Sequence, residues 1–388
     1  MTQPADITNL FKNRESAILA RQQSGNKIVG YVSNTIPLEI IHASGAVPLH
    51  LIGDVNEVPI MANEFMERAF DPITRSIFNR LLTGAYNFLD LIVLPRCNDS
   101  YQRLYYYLRE INRKYPQYRI PPVYLLDLLH TPWPSSQNHN NQKIAAFARY
   151  LTELNSNTIT DASLQSAIAL YNTSRQLLKQ FTELRADNTY LISSEDACQV
   201  YGAAQSLAVE DFNRYLSTYL DSLKAPDPLS AKPVQHKPSL VIAGNGVDHP
   251  RLHQLIDHLG ARVVGDYHSH GNHFLVGRID PDKAPLAAIT EHYHHHTISS
   301  RTFSPDPQAL IRFCQQQNAD GILFYFLQGE EALTWQVPSQ QASAKIAGLP
   351  CCVFYHQSYD VDANNLTPVL KQFIQSLSVG FLAVGGKQ

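Results

Sequence analysis

The stretch KIVGYVSNTIPLEIIHASGAVPLHLI, residues 27–52, decides the architecture. It runs from an apolar segment (KIVGYVS) through a helix-length amphipathic one (LEIIHAS) into a second apolar run (AVPLHLI), the strand–helix–strand order of a parallel sheet. Pro37 can open the helix because a first-turn N–H would go unpaired anyway. Gly45 can close it by taking the left-handed conformation that other residues resist.

Working outward, LDLIVLP at 89–95 and PPVYLLDL at 121–128 repeat the apolar run, and Asp99 can cap a helix through YQRLYYYLREINRKY at 101–115. A doubly wound first lobe is therefore predicted over 27–137, preceded by a polar helical segment at 1–26. From 138 to 223 apolar residues recur at three- and four-residue steps, as in LQSAIALYNTSRQLLKQF, which predicts a helical bridge. KAPDPLSAKPVQHKP at 224–238 holds four prolines and little that can be buried, so it reads as a linker. Over 239–388 the rhythm resumes with SLVIAG, ARVVGDY, DGILFYFL and PCCVFYH, a second α/β lobe. The fold class is α/β, two lobes with parallel sheets joined by a helical region and a proline-rich linker.

With 388 residues and 44 % hydrophobic content, the chain is long enough for two cores. Its 31 basic and 34 acidic residues nearly cancel, and no Lys/Arg stripe appears, so the charge pattern supplies no basis for binding nucleic acid or an anionic membrane. No apolar stretch reaches the roughly 18 residues of a membrane span, and the amino terminus has no apolar signal region. Five cysteines without a CxxC pair suit a reducing compartment, so a cytoplasmic chain without disulfides is expected.

Loops at the carboxyl ends of parallel strands meet ligands, which singles out RCND at 96–99 and QGEE at 328–331. Cys97 precedes a helix amino terminus, where a thiolate is favoured; a packed small side chain is the alternative. Histidines cluster in HSHGNHF at 268–274 and EHYHHH at 291–296. His268, His270 and His273 are candidate ligands for a divalent ion, against an expectation that both clusters form solvated loops. AGNGVD at 243–248 lacks the third glycine of a dinucleotide fingerprint and reads as a tight turn. Cys351 and Cys352, adjacent in a strand, point to opposite faces and do not readily chelate one ion together. Tyr105, Tyr106 and Tyr107 share one helix but face different directions, which favours packing over base stacking.

The segment GYVSNTIPLEIIHASGAVPLHLIG at 30–53, with DPITRSIFNRLLTGAYNFLDLIVLPRCNDSYQRLYYYL at 71–108 and ADGILFYFL in the second lobe, resembles the 2-hydroxyacyl-CoA dehydratase D-component family. That family includes the benzoyl-CoA reductase cluster-binding subunits. The resemblance implies Rossmann-like lobes, a two-subunit assembly, a [4Fe–4S] cluster near acyl-CoA and an ATP-hydrolysing activator. It also implies three cluster cysteines: one before a proline that opens a helix, one after the LDLIVLP-like strand and one after the ADGI-like strand. Asp71, Cys97 and either Gly329 or Glu330 stand at those positions, so only one thiolate is present. A cysteine that members often carry shortly before the glycine matching Gly271 is replaced by Ser269 and His270. Ser33, Glu39 and His42 lie in the matching segment and are candidate hydrogen-bonding residues for a substrate carbonyl or hydroxyl, with Glu39 open to a capping role in its helix's first turn.

Three functions remain open. The first is a dehydratase (lyase)-like or reductase-like subunit without its own standard cluster, pairing with a homologous subunit as a hetero- or homodimer; the activator matters only if a cluster is present. The second is a repurposed enzyme using Cys97 in non-radical chemistry, and the third a non-catalytic protein binding acyl-CoA or a small acid.

Overall fold

The computed structural model describes residue 11 and residues 13–186, 192–224, 237–296 and 306–384. Residues 225–236, most of the proline-rich segment, and 1–10 lie outside the described residues.

Two four-stranded parallel sheets organise the chain. In the first lobe, β1 (Ile28–Tyr31), β2 (Val47–His50), β3 (Leu91–Pro95) and β4 (Val123–Leu126) lie in the order β2-β1-β3-β4. In the second, β5 (Ser239–Gly244), β6 (Arg262–Tyr267), β7 (Gly321–Leu327) and β8 (Cys351–Gln357) repeat it as β6-β5-β7-β8. Chain order reverses between β1 and β3, and again between β5 and β7, so each lobe presents a crevice at the carboxyl ends of its central strands. These two-sided strands are buried throughout: LIVLP of β3 and GILFYFL of β7 contain no exposed residue.

Local chemistry explains the element ends. Helix Leu38–Ala43 begins after Pro37 and stops as Gly45 turns to φ +85°. The helix after β3, Asp99–Lys114, is capped one residue earlier than expected: Asn98 accepts from the Tyr101 N–H, and Asp99 sits inside the first turn. Cys351 and Cys352 do point to opposite faces, one against the β7–helix layer and the other into the core beneath the last helix.

Helices Pro134–Asn155, Asp161–Ala186, Ser194–Ser206 and Val209–Lys224 form a layer against both lobes. One apolar cluster, around Val241, Leu310 and Phe324, lies within the second lobe alone, and two others cross between the lobes. One of these runs from Val29 and Tyr31 through Phe147, Phe181 and Leu216 of the helical layer to Phe274 and Tyr293 of the second lobe. Another joins Ile28 and Ile92 to Ile242 and Leu323.

Polar straps reinforce this joint. Asp248 accepts from the Gly53 N–H at 3.0 Å and the Tyr359 hydroxyl at 2.7 Å. Arg185 donates to Asp266 at 2.7 Å and to the Val263 carbonyl at 2.9 Å, and Asn34 donates to the His273 carbonyl at 2.9 Å.

Candidate functional site in the interlobe cleft

The carboxyl-end loops of both sheets face one another across a cleft of about 670 Å³. Ser33, directly after β1, takes φ +70°, a conformation L-residues adopt only when the surroundings enforce it. This aims its hydroxyl inward, where the Cys97 thiol donates to Ser33 Oγ at 3.4 Å. Cys97 itself, 5 % exposed, lines the cleft where β3 gives way to the following helix.

Asp71 enters from the loop ahead of helix Pro72–Leu82, whose N-cap it is. It accepts from the Thr74 N–H at 2.8 Å and the Thr74 hydroxyl at 2.6 Å. Opposite it, Gly329 turns at φ +84°, and a Cβ placed there would lie 3.0 Å from the Ala69 carbonyl oxygen and 3.3 Å from the Asp71 nitrogen. The loop after β7 is thus pressed onto the loop before Asp71 and has no room for a side chain at 329. Of the two residues left open at this position, Glu330 is the one that presents a side chain to the cleft. Its carboxylate accepts from the Leu333 N–H at 2.8 Å, opening a short turn at Leu333–Gln336.

Burial pushes the Glu330 carboxyl above its usual range; the Leu333 N–H pulls it the other way and the Asp71 charge adds to the rise. Tyr101, on the helix after Cys97, also lines the cleft. Burial first, then the charges of Asp71 and Cys97, hold its phenol well above its ordinary value, so it remains a donor at neutral pH.

His268, His270 and His273 line the opposite wall. Burial, the largest effect on each, carries His270 down to about 4 and His273 down to about 3, so both imidazoles are neutral at pH 7. His273 packs edge-on against Tyr267, ring centroids 4.0 Å apart, and His270 against His50 of the first lobe at 5.5 Å. His268 Nε2 lies 3.5 Å from Asp266 Oδ1, and neither of its ring nitrogens is hydrogen-bonded. Beneath it Asp266 is 1 % exposed; burial works to raise its carboxyl, but Arg185 and His253 outweigh burial and hold it well below the usual range. Among the described residues no three His, Cys, Asp or Glu side chains are arranged to hold a metal ion.

Two sequence expectations are corrected. Neither histidine cluster is a solvated loop. EHYHHH ends helix Pro285–His295, with His292 and His294 buried where it packs on the helical layer. HSHGNHF walls the cleft. Glu39 and His42 are not on the cleft wall at all. Glu39 is fully buried, paired with Arg175 at 2.5 Å and accepting from the Tyr293 hydroxyl at 2.9 Å. His42 lies 3.5 Å from Glu210 and edge-on to Tyr171.

Sequence reasoning missed Tyr101, the Asp266–Arg185–His253 cluster and Trp335, which stands at the cleft edge 84 % exposed. For Tyr101 a signal existed, since it lies within the first turn of the helix that follows Cys97. The others depend on contacts between distant segments. Together, a thiol, two carboxyls, a phenol and neutral imidazoles equip the cleft to accept, donate and relay protons around a small ligand.

Comparison with known proteins agrees with this geometry. The profile of the family described as 2-hydroxyglutaryl-CoA dehydratase, D-component, matches residues 34–377. A benzoyl-CoA reductase subunit of Thauera aromatica is 23 % identical over 77 % of this chain and 77 % of its own length. The (R)-phenyllactyl-CoA dehydratase beta subunit of Clostridium sporogenes is 20 % identical over 89 % of this chain and 90 % of its own. The beta subunit of (R)-2-hydroxyglutaryl-CoA dehydratase of Acidaminococcus fermentans is 19 % identical over 91 % and 93 %. The profile spans both lobes and the helical layer, and the chain belongs to the 2-hydroxyglutaryl-CoA dehydratase D-component family.

Proposed function

We propose that this chain is a 2-hydroxyacyl-CoA dehydratase-like or benzoyl-CoA reductase-like subunit that holds no standard [4Fe–4S] cluster of its own and supports acyl-CoA dehydration or reduction by a cluster-bearing, homologous partner. The carrying observation is the donor set of the cleft. One thiol, Cys97, faces it, with Asp71 and Glu330 where the family resemblance places two further thiolates.

Iron in a cubane is held by soft thiolates, and hard carboxylates are a poor replacement. Both carboxylates are also engaged elsewhere, Asp71 by Thr74 and Glu330 by the Leu333 N–H. Binding iron would surrender these caps. The residues present do not fit the cluster, and an ATP-dependent activator has no role at this cleft.

In this reading the cleft shapes a ligand site. Ser33 and Tyr101 offer hydroxyl donors to an acyl carbonyl, and the neutral His270 and His273 add bulk to the facing wall without adding charge. Relatives named as subunits support the pairing with a second chain. A second reading, non-radical chemistry at Cys97, draws on the Ser33 backbone conformation that holds a hydroxyl against the thiol.

Anaerobic purification with iron and sulfide analysis, together with co-purification of the products of neighbouring genes, tests the proposal. An iron-free chain that co-purifies with an iron-bearing homologous subunit is the expected result. A stoichiometric cubane in the isolated chain overturns it. Cys97→Ala, which leaves the fold intact, abolishes turnover only if the second reading is right.

A further inference from the structure

Beside the cleft lies a second, much smaller cavity, of about 10 Å³. Asn34 and His273, joined by the 2.9 Å bond from the Asn34 amide to the His273 carbonyl, line both this cavity and the cleft. Every part of the fold contributes to the rest of its wall. Ile36 and Leu38 come from the first lobe, Arg175 from the helical layer, and residues 274–276 with helix Pro285–His295 from the second lobe. Much of that wall is apolar, yet two polar side chains on it each carry a buried nitrogen with no partner within the protein. Arg175 is 6 % exposed and holds its carboxylate partner Glu39 through Nη2 at 2.5 Å, but its Nε–H has no acceptor. His292 is 5 % exposed, and its Nδ1 is likewise unpaired.

The two side chains belong to one neighbourhood. Burial is the largest effect on the His292 imidazole and the Arg175 charge the next; together with His296 they carry it down to about 2, so the ring is neutral at pH 7. A buried polar atom left unmet forfeits the hydrogen bonds that solvent gave it in the unfolded chain, and native proteins meet such atoms with ordered water where there is room.

Room and charge say what fits. A volume of this order is what one water requires, roughly 10–15 Å³, and lies far below the roughly 300 Å³ at which pockets for organic ligands begin. Among the described lining residues Arg175 is the one Lys, Arg, Asp or Glu, and Glu39 offsets its charge, so the site favours neither an anion nor a cation. The molecule that remains is small and neutral, with a lone pair for the Arg175 Nε–H. Water has that, and it meets His292 Nδ1 in either tautomer, donating to the bare nitrogen or accepting from the N–H.

We propose that this cavity is a binding site for one internal water molecule, which bridges Arg175 Nε to His292 Nδ1 and ties helix Asp161–Ala186 of the helical layer to helix Pro285–His295 of the second lobe. The bridge extends the Glu39–Arg175 pair, so that one hydrogen-bonded chain runs from the helix Leu38–Ala43 of the first lobe, through the helical layer, into the second lobe. It is the same whether or not the chain carries a cluster.

A crystal structure of the full-length chain, at a resolution that orders internal waters, tests the proposal. A single water peak within about 3.2 Å of both Arg175 Nε and His292 Nδ1 is the expected result. The absence of a peak there overturns it, as does a direct Arg175–His292 hydrogen bond that closes the cavity. An anion at the site, revealed by an anomalous peak in crystals soaked in bromide, overturns it as well. His292→Leu takes away one of the two partners of the water, and the peak is lost while Arg175 stays paired with Glu39. A peak unchanged in that variant overturns the bridge. The native structure decides the matter even where the variant misfolds.

Discussion

Replacing Glu39 by alanine separates a structural from a catalytic role for the most conspicuous charge in the segment that decides the fold. The Glu39 side chain is 0 % and that of Arg175 4 % exposed, their contact is 2.5 Å, and the Tyr293 hydroxyl satisfies the other carboxylate oxygen at 2.9 Å. Removing the carboxylate strands a guanidinium whose Nε already lacks a partner. Breaking a buried pair from one side costs about 3–5 kcal/mol, because a charge remains in a low-dielectric interior. For 388 residues unfolding as one cooperative unit, an unfolding entropy near 2 cal/mol/K per residue gives roughly 0.8 kcal/mol/K, so Tm falls by about 4–6 °C. Urea unfolding followed by near- and far-ultraviolet circular dichroism measures the loss. The double variant Glu39→Met with Arg175→Met removes both charges and recovers most of it, to within about 1–2 kcal/mol of the native chain. A Glu39→Ala chain within about 1 kcal/mol of native stability would refute the reasoning, all the more if it lost ligand or partner binding.

Acidification tests the buried imidazoles. The folded pKa values of His270 and His273, about 4 and about 3, lie below the unfolded value near 6.5, so the unfolded chain takes up protons first and stability falls as pH drops from about 6.5 towards 4. His270 alone accounts for roughly 3 kcal/mol of that loss, and His270→Gln makes a urea-unfolding series against pH correspondingly shallower; an unchanged slope contradicts the burial assigned to it. Asp71→Ala removes an N-cap and lowers stability by about 1 kcal/mol, whereas Asp71→Asn keeps the accepting oxygen and stays within a few tenths. Finally, Asp71→Cys with Glu330→Cys places three thiols on the cleft wall and takes up iron and sulfide on anaerobic reconstitution. Asp71→Cys with Gly329→Cys does not, since φ +84° and a Cβ 3.0 Å from the Ala69 carbonyl oxygen leave the second thiol no place. Equal iron uptake by the two variants would contradict that assignment.

How far the sequence leads depends on the range of the interactions involved. Residues 27–52 announce a parallel α/β lobe because alternation, Pro37 and Gly45 are local signals, and each is realised within the same segment. Strand ends likewise point to Cys97 and to the QGEE loop that holds Glu330, since a carboxyl-end loop of a parallel sheet faces the crevice wherever that sheet forms, whereas Ser33 is reached only through the family resemblance. The fate of Glu39 is not local. Its partner Arg175 is 136 positions away on a helix of the bridging layer, and nothing within its own helix distinguishes a buried pair from a reactive carboxylate. The histidines of EHYHHH read as polar by composition, yet helix Pro285–His295 packs between other helices and takes two of them inside. Gly329 and Glu330 are neighbours that only the pressure of the opposite loop tells apart.

The straps across the lobes carry a kinetic consequence. Asp248 ties Gly53 of one sheet's edge to Tyr359 beyond the other, while Arg185 and the shared apolar clusters fix the remaining side. A two-lobed cleft closed by a hinge exchanges its contents on the microsecond-to-millisecond scale of domain motion. The straps and shared clusters oppose such a hinge, and a ligand is predicted to enter at the open edge beside Trp335 without the lobes parting.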